Sequence, residues 1–196
     1  MNLPIPMKVV HLLSGGIDST VLLYDLIHQG CRVHPVLCYY GQRHFKELAS
    51  ARSTCNRLNL AFTEIDLPHV FQGSALTADD SDNVVVPNRN MTLISFALVI
   101  ACRSKSEAVT IGCNADDAAV FPDCTKDFIN ALFEASLAAK LHVDICAPYF
   151  DMTKREIVER GRKLHVPLHE TWSCYVGGEK PCGTCLACTT RTAALL

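Results

Sequence analysis

Apolar positions along the chain fall into short runs separated by stretches of helical spacing. A run over 8–13 ends in Ser14, Gly15 and Gly16, and residues 17–28 then carry apolar side chains at helical intervals up to Gly30. That pattern predicts strand, glycine turn and helix. Apolar residues over 33–40 predict a second strand, an amphipathic stretch within 43–60 a second helix, and 61–66 a third strand. Periodicity then stops. From Leu67 to Asn88 the prolines, Gly73, the serines and the acidic run Asp79, Asp80 and Asp82 predict a loop of about twenty residues, a length typical of lids.

Regular patterning resumes as a helix over 90–103, a strand over 108–112, a helix over 125–140, a strand over 143–147 and a helix over 153–164. Thr153 and Glu156 have the spacing of a capping box at the start of that last helix. Strands alternating with helices predict an α/β fold: a five-stranded parallel sheet with helices on both faces and ligands at the carboxyl ends of its strands. After Val166 the periodicity fades. The chain divides into an α/β domain over 1–165 and a cysteine-rich segment over 166–196 packed on it.

With 196 residues there is room for one full domain, and 49% hydrophobic against 19% charged residues supplies a sizeable core. Eighteen basic and twenty acidic residues leave a net charge of −2. No broad basic surface for nucleic acid is expected from that balance. The longest apolar run, near 96–101, is too short to span a bilayer, and residues 1–7 hold two prolines and no basic residue, unlike a secretory leader. Eleven cysteines, an odd number, fit a cytoplasmic protein with free or metal-bound thiols better than a disulfide scaffold.

Two constellations carry chemistry. Ser14-Gly15-Gly16-Ile17-Asp18-Ser19-Thr20 lies between the first strand and first helix, where backbone amides and a helix N-terminus meet an anion. No lysine completes a Walker A loop. Asp18 beside phosphates calls for a bridging cation, which points to Mg²⁺; a plain capped helix start is the alternative. In the tail, Cys174, Cys182, Cys185 and Cys188 are spaced C-x7-C-x2-C-x2-C, a donor set for one structural Zn²⁺. An iron–sulfur cluster is the competing occupant, although the C-x3-C-P continuation of the ferredoxin pattern is missing. The other seven cysteines read as small core residues.

The Ser-Gly-Gly-x-Asp-Ser loop resembles that of the PP-loop ATP pyrophosphatases, which split ATP between its α and β phosphates and activate a substrate oxygen as an adenylate. Three further segments, Tyr40-Gly41-Gln42-Arg43-His44, Val86-Pro87-Asn88-Arg89-Asn90 and Phe121-Pro122-Asp123-Cys124, combine with this loop and the terminal cysteines. Together they resemble the 7-cyano-7-deazaguanine synthase family of the queuosine and archaeosine pathways over about residues 8–191.

The resemblance implies a nucleotide site on Leu13, Ser14, Gly15, Gly16, Ile17, Asp18, Ser19, Thr20, Val21, Leu22 and Leu23, with Leu13 near adenine and Asp18 on Mg²⁺. It implies a substrate site on Tyr40, Gln42, Arg43, His44, Asn88, Arg89, Asn90, Phe121 and Asp123. Asp18, Arg89 and Lys154 would be catalytic: Arg89 on the carboxylate or α-phosphate and Lys154 on phosphate. On the residues alone, Arg89 could be a surface ion pair, Lys154 a solvated helix position and Asp123 a turn former. Arg43 and His44 could be plain surface residues.

The implied reaction joins 7-carboxy-7-deazaguanine and ammonia to give the nitrile at the expense of ATP. Ammonia would come from solution or a partner, because 196 residues leave no room for a glutaminase. A homodimer is expected, with no membrane or direct nucleic-acid partner. A deazaguanine ligase stopping at the amide or using another amine, a tRNA-thiolating enzyme and a non-catalytic nucleotide-sensing zinc module remain competing readings.

Overall fold

A computed structural model describes residues 7–42, 45–67, 71 and 86–196. Five strands form one sheet: β1 (Lys8–Leu12), β2 (Arg32–Tyr39), β3 (Thr63–Asp66), β4 (Ala108–Thr110) and β5 (Asp144–Cys146). Their spatial order is β3-β2-β1-β4-β5, and every neighbouring pair is parallel. The strand order reverses between β1 and β4. That is the switch point at which the connections diverge to opposite faces and leave a crevice.

Burial on both sides of the sheet follows from the strand alternation. On β1, Val9 packs with α1 (Ile17–His28), α6 (Lys154–Lys163) and α7 (Leu186–Leu195), while Val10 and Leu12 pack with α3 (Arg89–Ser104) and α5 (Lys126–Ala138). The fourth helix, α4 (Ala115–Ala118), is a single turn after β4. Over β2, Leu37 joins Leu48, Ala51 and Cys55 of α2 (Lys46–Arg57) against Leu23 of α1. Each such valine or leucine side chain removed from water contributes about 1.5–3 kcal/mol.

Asp25 of α1 ties the first face together. It accepts from the Arg160 guanidinium at 2.5 and 3.1 Å and from the Tyr149 hydroxyl at 3.0 Å. Those donors outweigh the effect of burial and hold its carboxyl below the usual range.

All five strands and the major helices before residue 165 agree with the apolar pattern. At Thr153 the capping box forms: its hydroxyl accepts from the Glu156 backbone at 3.3 Å, and the Glu156 carboxylate accepts from the Thr153 backbone at 2.8 Å. The tail differs from expectation. Beyond a 3-10 turn at Leu168–Glu170, the ten-residue helix α7 runs to Leu195 and places Ala194 and Leu195 in the core beneath α1 and α6. Arg191 clamps α7 to the preceding segment through Leu168 O and Thr171 Oγ1, each at 2.7 Å. Most of the expected loop before Asn88 lies outside the described residues. Among the described residues no helix is long and apolar enough to cross a membrane.

Candidate active site and metal centre

A cleft of about 1290 Å³, its open mouth included, lies over the carboxyl ends of β1, β2 and β4. Its floor is the glycine loop. Gly15 has φ +91°, and a Cβ there would stand 2.2 Å from the Glu47 carbonyl oxygen, so only glycine lets the loop pass this close to α2. Gly112, just after β4, serves a similar purpose, because its Cβ would lie 3.0 Å from the Ser19 nitrogen.

The start of α1 is left open to a ligand. Gly16 is its N-cap and no side chain caps it, while Ser14 Oγ and Ser19 Oγ bond to each other at 2.9 Å. The first-turn N–H groups, which have no intrahelical acceptors, therefore face the cleft with the positive end of the helix. This disfavours the plain capped helix start.

His11 supports the loop from below. Fully buried on β1, it bonds the Ser19 carbonyl through Nε2 at 2.8 Å and Thr110 Oγ1 through Nδ1 at 2.9 Å. A carbonyl only accepts, so Nε2 carries the proton and Nδ1 receives the threonine hydroxyl. Burial lowers the His11 pKa to about 4 and keeps the ring neutral.

Asp18 and Lys154 form an ion pair inside the cleft, each about 15% exposed. Burial opposes the charge of Lys154, but Asp18, Asp117 and Asp116 around it raise its pKa overall. The other oxygen of Asp18, Oδ1, is buried without a hydrogen-bond partner. An orphaned carboxylate oxygen beside an anion-binding loop fits a hard cation such as Mg²⁺. Asp117 lies next to this pair and receives the Asn114 amide at 2.8 Å, with its pKa pushed up to about 6, chiefly by burial.

Arg89 opens α3 and lies in the cleft wall 5.7 Å over the Tyr40 ring. Burial works against its charge, while Tyr40, Asp123, Cys124 and Glu47 raise its pKa above the ordinary value. Tyr40 is packed on Phe71 and Val86, and burial pushes its hydroxyl up to about 12. Gln42 also lines the cleft, accepting from the Tyr40 backbone at 2.7 Å and donating to the Cys38 carbonyl at 3.2 Å. Asn90 and Phe121 complete the expected residues present on the wall.

Several expected site residues are placed elsewhere. Val21, Leu22 and Leu23 are at most 1% exposed and pack in the core, because α1 turns them away from the loop. Thr20 is buried behind the cleft, as is the backbone of Gly15. Asn88 adopts φ 56° as the N-cap of α3 and does not reach the lining. Asp123 also stays outside it: its carboxylate accepts the Asn90 N–H at 3.2 Å, satisfying a first-turn donor of α3. Arg43 and His44 lie outside the described residues.

The tail closes the cleft. Trp172, Ser173, Tyr175 and Ala187 line it together with the glycine loop. The single Ser50 hydroxyl proton is shared between Glu170 O at 2.8 Å and Gly15 O at 3.1 Å, joining α2, the loop and the tail. Glu47, Asp117, Trp172 and Tyr175 were not singled out in the sequence. The available signals were the polar residues just after β4 and the acid three positions beyond His44.

Behind this lining, the sulfurs of Cys174, Cys182, Cys185 and Cys188 all lie within 4.8 Å of one another, with Cys182 and Cys188 3.9 Å apart. A metal–sulfur bond of about 2.3 Å in a tetrahedron separates sulfurs by about 3.8 Å, so the quartet fits a single ion. A cubane cluster, with iron and sulfide between its thiolates, spreads them further. Backbone N–H groups of Cys185 and Thr184 lower the Cys182 pKa to about 6 and favour the thiolate that a metal needs. Of the seven remaining cysteines, all free, Cys102 is exposed on α3 rather than buried.

Comparison with known proteins agrees with this geometry. The model of the family "Queuosine biosynthesis protein QueC" matches residues 8–196. The 7-cyano-7-deazaguanine synthase of Caldicellulosiruptor bescii is 40% identical over 203 residues, spanning 96% of this chain and 92% of that protein. That of Hahella chejuensis is 42% identical over 205 residues, spanning 97% and 89%. Among solved structures, the U34-tRNA thiolase NcsA from Methanococcus maripaludis with its [4Fe-4S] cluster superposes with TM-score 0.58 at 18% identity, over 98% of this chain and 65% of that one. The NH3-dependent NAD synthetase from Campylobacter jejuni gives TM-score 0.55 at 18% identity, over 85% and 68%. At that identity the two structures speak for the fold alone. The full-length matches decide the family: the chain belongs to the QueC family, that of the 7-cyano-7-deazaguanine synthases.

Proposed function

We propose that the cleft converts 7-carboxy-7-deazaguanine and ammonia to 7-cyano-7-deazaguanine, using ATP to adenylate first the acid and then the amide. The observation that carries this reading is one cleft joining an uncapped anion-binding helix start, the Asp18–Lys154 pair and the cation Arg89, in a chain matched to the synthase family over residues 8–196. A carboxylate oxygen is a poor leaving group, and its adenylate departs as AMP. Activating the amide oxygen in the same way permits elimination to the nitrile.

Roles follow from position. The amides from Gly16 to Ser19 bind the pyrophosphate end of ATP, and Leu13 borders the adenine. Lys154 neutralises phosphate charge opposite Asp18. Asp18, whose Oδ1 is buried without a partner, would hold Mg²⁺, which when bound would supply charge compensation for the phosphates. Arg89 orients the substrate carboxylate and α-phosphate through its bidentate fork, with Tyr40 beneath it and Phe121 along the ring.

The cysteine quartet would hold one Zn²⁺. With four thiolate ligands it would have no open coordination position, and its part would be structural, fixing the wall formed by Trp172 to Tyr175. Ammonia comes from solution or a partner, and the chain works as a cytoplasmic homodimer.

Incubating the purified chain with ATP, Mg²⁺, ammonium and 7-carboxy-7-deazaguanine tests the reaction. Mass spectrometry is expected to find the nitrile with AMP and pyrophosphate. Formation of ADP, or of the amide as the sole end product, would overturn it.

A further inference from the structure

Glu47 stands in the first turn of α2 with its side chain in the cleft wall. Among the described residues it has the one cleft carboxylate without a hydrogen-bond or ion-pair partner. Asp18 is held by Lys154 and Asp117 by Asn114, and Asp123 is turned away to cap α3. The titratable groups that feel the charge of Glu47 are Arg89 from α3, Tyr40 from the end of β2 and Tyr175 from the tail. Arg89 is the cation placed above at the reacting end of the substrate. Glu47 therefore lines the same cleft as Arg89, within reach of its charge.

The chemistry needs a proton acceptor there. When ammonia adds to the acyl adenylate, its lone pair forms the C–N bond and leaves the nitrogen positively charged. That nitrogen must lose a proton before the carbonyl re-forms and the C–O bond breaks with its electron pair on AMP. In the second round the nitrogen of the O-adenylated amide, positively charged as formed, gives up one proton to leave the neutral imidate and then its last; the N–H pair becomes the third C–N bond, and AMP again leaves with the C–O pair.

We propose that Glu47 is the general base of both rounds, its carboxylate taking a proton from the reacting nitrogen and releasing it to solvent before each further proton is taken. This rests on the reaction proposed above. Burial in the cleft wall raises the Glu47 pKa to about 7, and the charge of Arg89 only partly offsets it, which leaves the group ready both to accept and to release a proton near neutral pH.

The test compares two rates on one sample: substrate-dependent exchange of labelled pyrophosphate into ATP, which reports adenylation, and amide formation from ammonium. A shared sample makes the ratio insensitive to any unfolded fraction. In Glu47→Gln the ratio of amide formation to exchange is expected to fall about 10²- to 10⁴-fold, the usual worth of a general base. Hydroxylamine, whose protonated form is far more acidic than ammonium, needs less help. Its product is expected to fall less than about tenfold relative to exchange.

An unchanged ratio, or equal losses with ammonia and hydroxylamine, overturns the assignment. If Glu47→Gln retains no measurable exchange, Glu47→Asp, with its carboxylate one methylene short, takes its place. A reduced ratio supports the role and an unchanged ratio overturns it. Absence of substrate-dependent exchange in the unaltered chain would instead sink the underlying reaction, and the base with it.

Discussion

The backbone N–H of Trp172 donates to the carbonyl oxygen of Gly15 at 3.0 Å. The segment entering the cysteine quartet thereby holds the inner turn of the nucleotide loop, and the Trp172 indole donates on to Cys174 O at 3.0 Å. Through this short path, metal binding at the quartet is expected to influence ATP binding at the loop. Cys182→Ser is expected to lose the bound metal, by elemental analysis, and to weaken ATP binding at least about tenfold, or about 1.4 kcal/mol, by calorimetry. Undiminished ATP affinity in metal-free protein would break the coupling.

Gly15 is the most sterically constrained position in the loop. Substitution by alanine places a Cβ 2.2 Å from a backbone oxygen and imposes φ +91° on an L-residue. Gly15→Ala should cost at least about 2 kcal/mol in urea unfolding, from strain and overpacking combined. A cost under about 0.5 kcal/mol would mean that the loop can move off α2.

Asp18 and Lys154 should separate in their metal dependence. Asp18→Asn removes charge from the cation site and is expected to raise the Mg²⁺ concentration needed for half-maximal pyrophosphate exchange at least about tenfold. Lys154→Met removes the competing ammonium and should not raise it, although the exchange rate falls. Equal Mg²⁺ requirements in Asp18→Asn and the parent chain would exclude Asp18 as the cation ligand.

His11 gives the fold a specific acid sensitivity. Its pKa is about 4 when folded against an unperturbed value of about 6.5, so below 6.5 the unfolded chain binds the extra proton first. This contribution to stability is full above about pH 6.5 and is lost progressively as pH falls toward 4, about 3 kcal/mol in all. In His11→Gln, less stable at pH 7, the loss between pH 7 and 4 should be smaller than in the parent by about that amount. Identical pH slopes in the two proteins would contradict the buried neutral ring.

Much of this architecture was legible because the signals were local. Val9, Val10 and Leu12 mark β1 by their run, Thr153 and Glu156 mark the start of α6 by their spacing, and the four cysteines declare a metal set. Helix α7 was hidden because Cys185, its N-cap, and Cys188, in its first turn, read as ligands while their separation of three is also helical. Val21 to Leu23 follow the nucleotide motif in sequence, but helical rotation carries them into the core. Asp123, expected in the substrate site, lies outside the cleft lining, whereas Glu47, not singled out in the sequence, lies within it. One meets the Asn90 backbone across 33 residues of chain, the other reaches the cleft, and neither relation has a local signature.

Isotope transfer measures directly whether one cleft activates two oxygens in succession. With both carboxylate oxygens of 7-carboxy-7-deazaguanine labelled with ¹⁸O, two AMP are expected per nitrile, each carrying one ¹⁸O. Unlabelled AMP, or the label appearing in pyrophosphate or water in its place, would contradict it.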